Sequence, residues 1–210
     1  MQVFDTGTEF DRQVRGLLDL GYPELAGLTA EEFTALVAPA REDVLARGEL
    51  APATPSWIPF VLVVKVDPYR SVPLLTLAGK KKPGVVDRNY GEGEVTRFVP
   101  VKELRVPERA AYVVFDVERG EEFCDVRPQD AMETIAGRGR TPLTIEEGIA
   151  VVTHFPATLE KNRCFMLGGS RSGDRRVPAL WISENAPKLG WCWAGNPHTW
   201  LGTASAGARA

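Results

Sequence analysis

The stretch LAPATPSWIPFVLVVKVDPYRSVPLLTL, residues 50–77, decides the fold. Its first part holds Pro52, Pro55 and Pro59, which fix φ and remove backbone donors, so it reads as an extended crossing. Its second part, 60–66, is an apolar, β-branched run of strand length. Asp67-Pro68-Tyr69-Arg70 then reads as a turn, and 72–77 as the antiparallel return of a hairpin. The crossing divides a helical beginning from a strand-rich remainder.

Upstream, Phe10, Val14, Leu17 and Leu18 fall at i, i+4, i+7 and i+8, with Asp11, Arg12 and Arg15 on the opposite face, which predicts an amphipathic helix over 8–20. Gly21 ends it and Pro23 prevents continuation. Thr29, with Glu32 three residues on, has the capping-box pattern and opens a second helix whose stripe is Phe33, Leu36 and Val37. Pro39 is expected to start a further helical piece reaching Gly48, which completes a helical subregion over 1–50.

Downstream, a polar loop over 79–93 leads to strands at 95–99 and 111–117, and a helix over 128–136 has Pro128 near its start and Gly137 after it. A second capping box, Thr144 with Glu147, opens a helix that ends before Pro156. The runs 164–167 and 177–182 form a hairpin with a glycine-rich, basic tip, and 189–194 is the last strand. Residues 203–210 are small and polar, and read as a flexible tail unless they dock. Segregated helices and hairpins give an α+β class: a helical N-terminal part packed on an antiparallel or mixed β-sheet. At 210 residues the chain suits one domain, with its strand-rich body over 57–202.

Composition narrows the function classes. With 44% hydrophobic and 25% charged residues the chain can build a core, and 25 basic against 28 acidic residues leave no global field for nucleic acid. The N-terminus, MQVFDTGTEFDRQVRG, lacks the basic-then-apolar pattern of a secretory leader, and Gln2 excludes myristoylation. No apolar run is long enough to span a bilayer. Three scattered cysteines, Cys124, Cys164 and Cys192, without any C-x-x-C, argue against a disulfide framework and imply a cytoplasmic protein.

Four of the five tryptophans, Trp181, Trp191, Trp193 and Trp200, lie within residues 181–200. On a strand, Trp191 and Trp193 share one face and Cys192 takes the other. Asn196-Pro197 then turns the chain toward His198 and Trp200. Indoles in such a segment either stack on rings or cations of a ligand or seal the core. With Arg171, Arg175 and Arg176 of the basic tip, Trp191, Trp193, Asn196, His198 and Trp200 make up the candidate ligand site. Cys192 and His198 are the candidate catalytic pair, as nucleophile and base. Lys80, Lys81 and Lys82, in GKKKPG, form a candidate phosphate patch, although Val85 and Val86 stand where a phosphate loop needs Lys and Ser or Thr. Glu146, Glu147, Asp116 and Glu184 are carboxylates beside apolar stretches that read as helix caps and surface charges. His154, His198 and the cysteines lack the short spacings of a metal site, and neither metal nor cofactor is expected.

The strings FDRQVRGLLDLGYPELAGL, GGSRSGDRRVPALWIS and PKLGWCWAGNPHTWLGTAS resemble an uncharacterised bacterial family, a domain of unknown function common in high-GC soil bacteria. The resemblance spans nearly the whole chain and implies no activity and no catalytic residues. The residues favour a binding or accessory protein for a small molecule or a protein partner. A hydrolase or transferase using Cys192 or His198 is the alternative, and weak phosphate or nucleic-acid binding through the basic loops comes after it.

Overall fold

The computed structural model describes residues 4–210. Met1 to Val3, which carry part of the leader and myristoylation readings, lie outside the described residues. Helix α1 (Thr6–Asp19) starts at Asp5, whose carboxylate accepts from Thr8 N at 2.6 Å. It ends at Gly21, whose φ of 77° few other residues adopt, and the short α2 (Tyr22–Ala26) follows. The Thr29 capping box opens α3 (Ala30–Leu45): Thr29 N donates to Glu32 Oε2 at 2.8 Å and Glu32 N to Thr29 Oγ1 at 3.2 Å. Pro39 does not begin a separate piece. It lies inside α3 on the exposed face, where water can satisfy the carbonyl that its ring leaves free.

Strand β1 (Trp57–Val64) is confirmed, but its expected return at 72–77 is not. Asp67 accepts from Tyr69 N at 2.9 Å and Pro68 holds the first helical position, so the chain enters the helical turn α4 (Pro68–Ser71) and a 3₁₀ turn to Leu74. The partner of β1 is β4 (Ala111–Glu118), antiparallel, with Val61 opposite Val114. Between them lie β2 (Val85–Val86) and β3 (Val99–Pro100), and the strand expected at 95–99 is mostly a 3₁₀ turn over Glu94–Arg97. Helix α5 (Pro128–Gly137), β5 (Thr141–Pro142) and α6 (Ile145–His154) come next. Then follow β6 (Cys164–Met166), β7 (Ser170–Arg171), β8 (Arg176–Ser183) and β9 (Ala186–Trp193). The expected hairpin of β6 and β8 is present, with Phe165 opposite Leu180, and Glu184 and Asn185, both at positive φ, turn β8 into β9.

Residues 203–210 are not a flexible tail. They complete β10 (Leu201–Thr203) and form β11 (Ser205–Arg209), which pairs with β4 on one side and β5 on the other. A four-stranded antiparallel sheet thus has the order β1-β4-β11-β5, a five-stranded mixed sheet the order β10-β6-β8-β9-β2, and β3 pairs with β7. Helices α1 to α3 cover one face of the first sheet, where Phe10, Leu17, Phe33 and Val37 meet Phe60, Leu62 and Val113. On its other face Val61, Val63 and Val114 meet Ile149 and Val152 of α6 and then Phe165 and Leu180 of the second sheet. Helix α6 is therefore buried on nearly all sides, as a helix between two sheets must be. The chain is one α+β domain.

A row of three residues kinks the first sheet. Pro59 in β1, Asp116 at φ 53° in β4 and Gly207 in β11 lie side by side, flanked by the pairs Ile58↔Val117, Phe60↔Phe115, Ala206↔Val117 and Ala208↔Phe115. Alternation resets across this row: Phe60, Phe115 and Ala208 face the helices, whereas Ile58, Val117 and Ala206 face the inner core. Asp116 accepts from Trp57 Nε1 at 2.7 Å and pairs with Arg140, and a side chain at position 207 would place its Cβ 2.6 Å from the Asp116 carboxylate.

The last strand is locked by charge. Arg209 binds Glu147 with both ends of its guanidinium, at 2.6 and 2.8 Å, and the two side chains are 5% and 1% exposed. Glu147 also accepts from Tyr112 Oη at 3.0 Å and from Thr144 N at 2.8 Å. Removing one partner strands a buried charge, so Arg209→Met is expected to cost about 3–5 kcal/mol in urea denaturation. Pairing it with Glu147→Leu should restore a large part of that loss. A single variant within about 1 kcal/mol of the parent would show that the pair bears little of the strand's stability.

Candidate functional site

The aromatic segment divides into two groups. Trp191 and Trp193 pack edge to face on one side of β9, with ring centroids 5.0 Å apart, and Trp193 is 47% exposed. Trp181 meets Trp200 at 6.3 Å, and His198 lies against Trp200 at 5.4 Å. Gly190 leaves room for the Trp181 ring, which any larger residue there would strike. None of the four indoles is fully buried, and Trp181, Trp191 and Trp200 pack on the inner core. Asn196 is exposed in a turn closed by its N–H on Trp193 O at 3.0 Å. Burial alone pushes the Cys192 thiol up to about 11, away from what a nucleophile needs, and His198 is not among the groups acting on it.

The basic residues fare differently from one another. Arg176 is occupied: it binds Glu94 at 2.8 Å and Asp174 at 2.7 Å, and its guanidinium lies over Phe98 and Trp191 at 5.2 and 5.3 Å. These bonds hold the carboxyls of Glu94 and Asp174 below their ordinary range. Arg175 is exposed beside Gly195, and Arg171 is half-buried next to Met132. The tip and the aromatic turn are neighbours, since Ala194 N donates to Arg175 O at 2.8 Å. Lys82 donates to Glu184 O at 2.7 Å and so braces the β8–β9 turn, while Lys80 and Lys81 are exposed.

His154 serves the edge of the first sheet. Strand β1 is an edge strand, and its free groups are met by side chains: Leu62 N donates to Gln13 Oε1 at 2.8 Å, and His154 Nε2 bonds Leu62 O at 2.9 Å. That acceptor requires the proton on Nε2. Burial lowers the His154 pKa to about 4, so the ring stays neutral. Among the described residues no group of three or more His, Cys, Asp or Glu side chains could hold a metal ion.

A cavity of about 610 Å³ opens elsewhere, between the end of β1, the loop over 100–108 and the first turn of α6. Val66, Val101, Val106 and Pro107 give it apolar walls, and Lys65, Tyr112 and Glu146 converge in it. The Lys65 ammonium is held by Pro107 O and lies 5.4 Å from the centre of the Tyr112 ring. Burial raises the Glu146 carboxyl above its ordinary range, against the opposing hydrogen bonds of its own backbone amide and of Thr144 and a weaker pull from Lys65. Burial likewise raises Tyr112, which remains a donor to Glu147. Lys102 and Arg105 stand at the rim, and among the described residues neither they nor Lys65 enter an ion pair. Asp67, also on the rim, uses its carboxylate on Tyr69 N.

Lys65, Lys102, Arg105 and Tyr112 were not legible as site residues, because loop 100–108 and β4 meet β1 only in the folded chain. A signal did exist in the Glu146-Glu147 doublet. Only the Glu three residues after Thr144 completes the capping box, and the other carboxyl lines the cavity.

The chain is an α+β protein with a concave site of mixed apolar and charged lining. The model of the family of unknown function DUF5701 matches residues 16–210, and the chain belongs to that family. No curated protein and no solved structure matches the chain. No helix among the described residues is long and apolar enough to cross a membrane.

His154 makes a stability prediction. The unfolded ring takes a proton near 6.5 and the folded ring only near 4, so stability should fall as pH drops through that window. His154→Gln keeps a donor for Leu62 O without titrating, and its urea stability should lack up to roughly 3 kcal/mol of the parent's decline. Parallel pH curves for the two proteins would contradict this role.

Proposed function

We propose that this protein binds a small amphipathic molecule with an acidic headgroup in the cavity at Lys65, Tyr112 and Glu146. The observation that carries the reading is the joining, in one cavity of about 610 Å³, of apolar walls with Lys65, Lys102 and Arg105, none of them in an ion pair among the described residues, beside the carboxylates of Asp67, Glu108 and Glu146. That volume lies within the range of ligand pockets. An apolar body would lie on Val66, Val101, Val106 and Pro107, and the headgroup would accept from Lys65. Burial shifts Glu146 toward its neutral form, which weakens its repulsion of an acidic headgroup. The half-exposed aromatic segment is a second, shallower candidate for a partner, favoured by the exposure of Trp193. The raised thiol of Cys192 weighs against a hydrolase or transferase built on that residue.

The fluorescent probe 8-anilinonaphthalene-1-sulfonate combines an apolar body with an acidic headgroup and tests the reading directly. It should bind the native protein one to one. Lys65→Met should weaken it by roughly tenfold through loss of a charged hydrogen bond. Val101→Trp, which fills the cavity, should abolish binding, while Trp193→Ala should leave it unchanged. Binding indifferent to Lys65 and Val101, or lost in Trp193→Ala, would transfer the site to the aromatic segment.

A further inference from the structure

Four consecutive residues, Arg105, Val106, Pro107 and Glu108, line the cavity, and the chain is anchored on both sides of them. Upstream, Leu104 is buried against Gly169, and Val101 N donates to Gly169 O at 2.9 Å. Downstream, Arg109 pairs with Asp43 at 2.6 Å, and Ala110 O accepts from Lys65 N at 2.8 Å. Between these anchors the attachment is slight. Arg105 turns the chain at φ 48°, in the left-handed region that a side chain disfavours. Among the described residues the amides of Arg105, Val106 and Glu108 donate no hydrogen bond. Arg105 and Glu108 are exposed, while Val106 packs on the inner core. A segment with so few backbone bonds opens locally at small cost.

Its fastening is Lys65. The ammonium donates to Pro107 O, and among the described residues it makes no other hydrogen bond. An ammonium carries three donors, so two remain beside the one that holds the strap. An acidic headgroup in the cavity would accept from those two without displacing Pro107 O, and would sit between the strap and the lysine that fastens it.

We propose that residues 105–108 are a strap, latched by Lys65, that closes on the ligand because one ammonium holds the strap and the headgroup together. The inference rests on the cavity being the ligand site and adds how that site retains what it binds.

Limited trypsin digestion of the full chain, with the cut bonds identified by mass spectrometry, tests it. The rate of cleavage between Arg105 and Val106 reports how often the strap opens. Without any probe, Lys65→Met should raise that rate by roughly three- to tenfold, the loss of one hydrogen bond, while cleavage after Lys81 in the other basic loop stays the same. Should Lys65→Met not fold, Arg109→Met, which frees the downstream anchor, must still speed cleavage at Arg105. Saturating 8-anilinonaphthalene-1-sulfonate should slow cleavage at Arg105 several-fold in the parent and leave Lys81 unaffected. Equal rates in the parent and these variants overturn the latch. A probe that binds in the cavity, as judged by its loss in Val101→Trp, yet leaves cleavage at Arg105 unchanged overturns the strap and spares the cavity. Absence of probe binding in the cavity overturns both.

Discussion

The ion pair between Glu147 and Arg209 is the constraint on which the rest of the molecule depends. Glu147 stands in the first turn of the helix between the two sheets, and Arg209 is in a strand inserted between β4 and β5. Their carboxylate and guanidinium are both withdrawn from water, and they are tolerable there because every strong direction is used: Arg209 on Glu147, Tyr112 on Glu147, and the Thr144 amide on Glu147. One carboxylate thus caps a helix, orients a tyrosine and fixes a strand.

The cavity follows from that arrangement. Tyr112 alternates with Val113 along β4, so its ring belongs to the inner face while its neighbour packs under the helices. With its hydroxyl tied to Glu147, the ring forms one wall, and Glu146, one residue earlier in the helix, reaches the same space. Lys65 completes the group where β1 ends, held by Pro107 of the opposing loop. The kink at Pro59, Asp116 and Gly207 sits toward the other end of these strands and turns Ile58, Val117 and Ala206 into the inner core. Both ends of the sheet are therefore set by polar groups that the apolar pattern alone does not specify.

Local chemistry was legible in the sequence where it acts over a few residues. The capping boxes at Thr29 and Thr144, the stop at Gly21 and the β6–β8 hairpin all read correctly, because each is decided by neighbours in the chain. The return strand at 72–77 did not: Asp67-Pro68 starts a helical turn as readily as a β-turn, and β4, far along the chain, wins the edge of β1. Residues 203–210 misled for the same reason. Gly207 and the alanines around it are small because the strand lies between β4 and β5 beside the Asp116 carboxylate, not because it is free. The tryptophan cluster was visible as composition, and Trp191 and Trp193 do share a face, but the cavity arises from residues scattered over 65–146 that no spacing connects.

The insertion of the last strand is the claim that native-state hydrogen exchange tests most directly. The amide of Ala210 bonds Val113 O, and the Val113 amide bonds Ala210 O, each at 3.0 Å. If β11 is a central strand closed by Arg209 and Glu147, the amide of Ala210 and those of β11 bonded to β4 exchange only through global unfolding, with the same protection as the Val113 amide. Exchange of those amides at the rate of a fraying terminus, with β4 still protected, would contradict it.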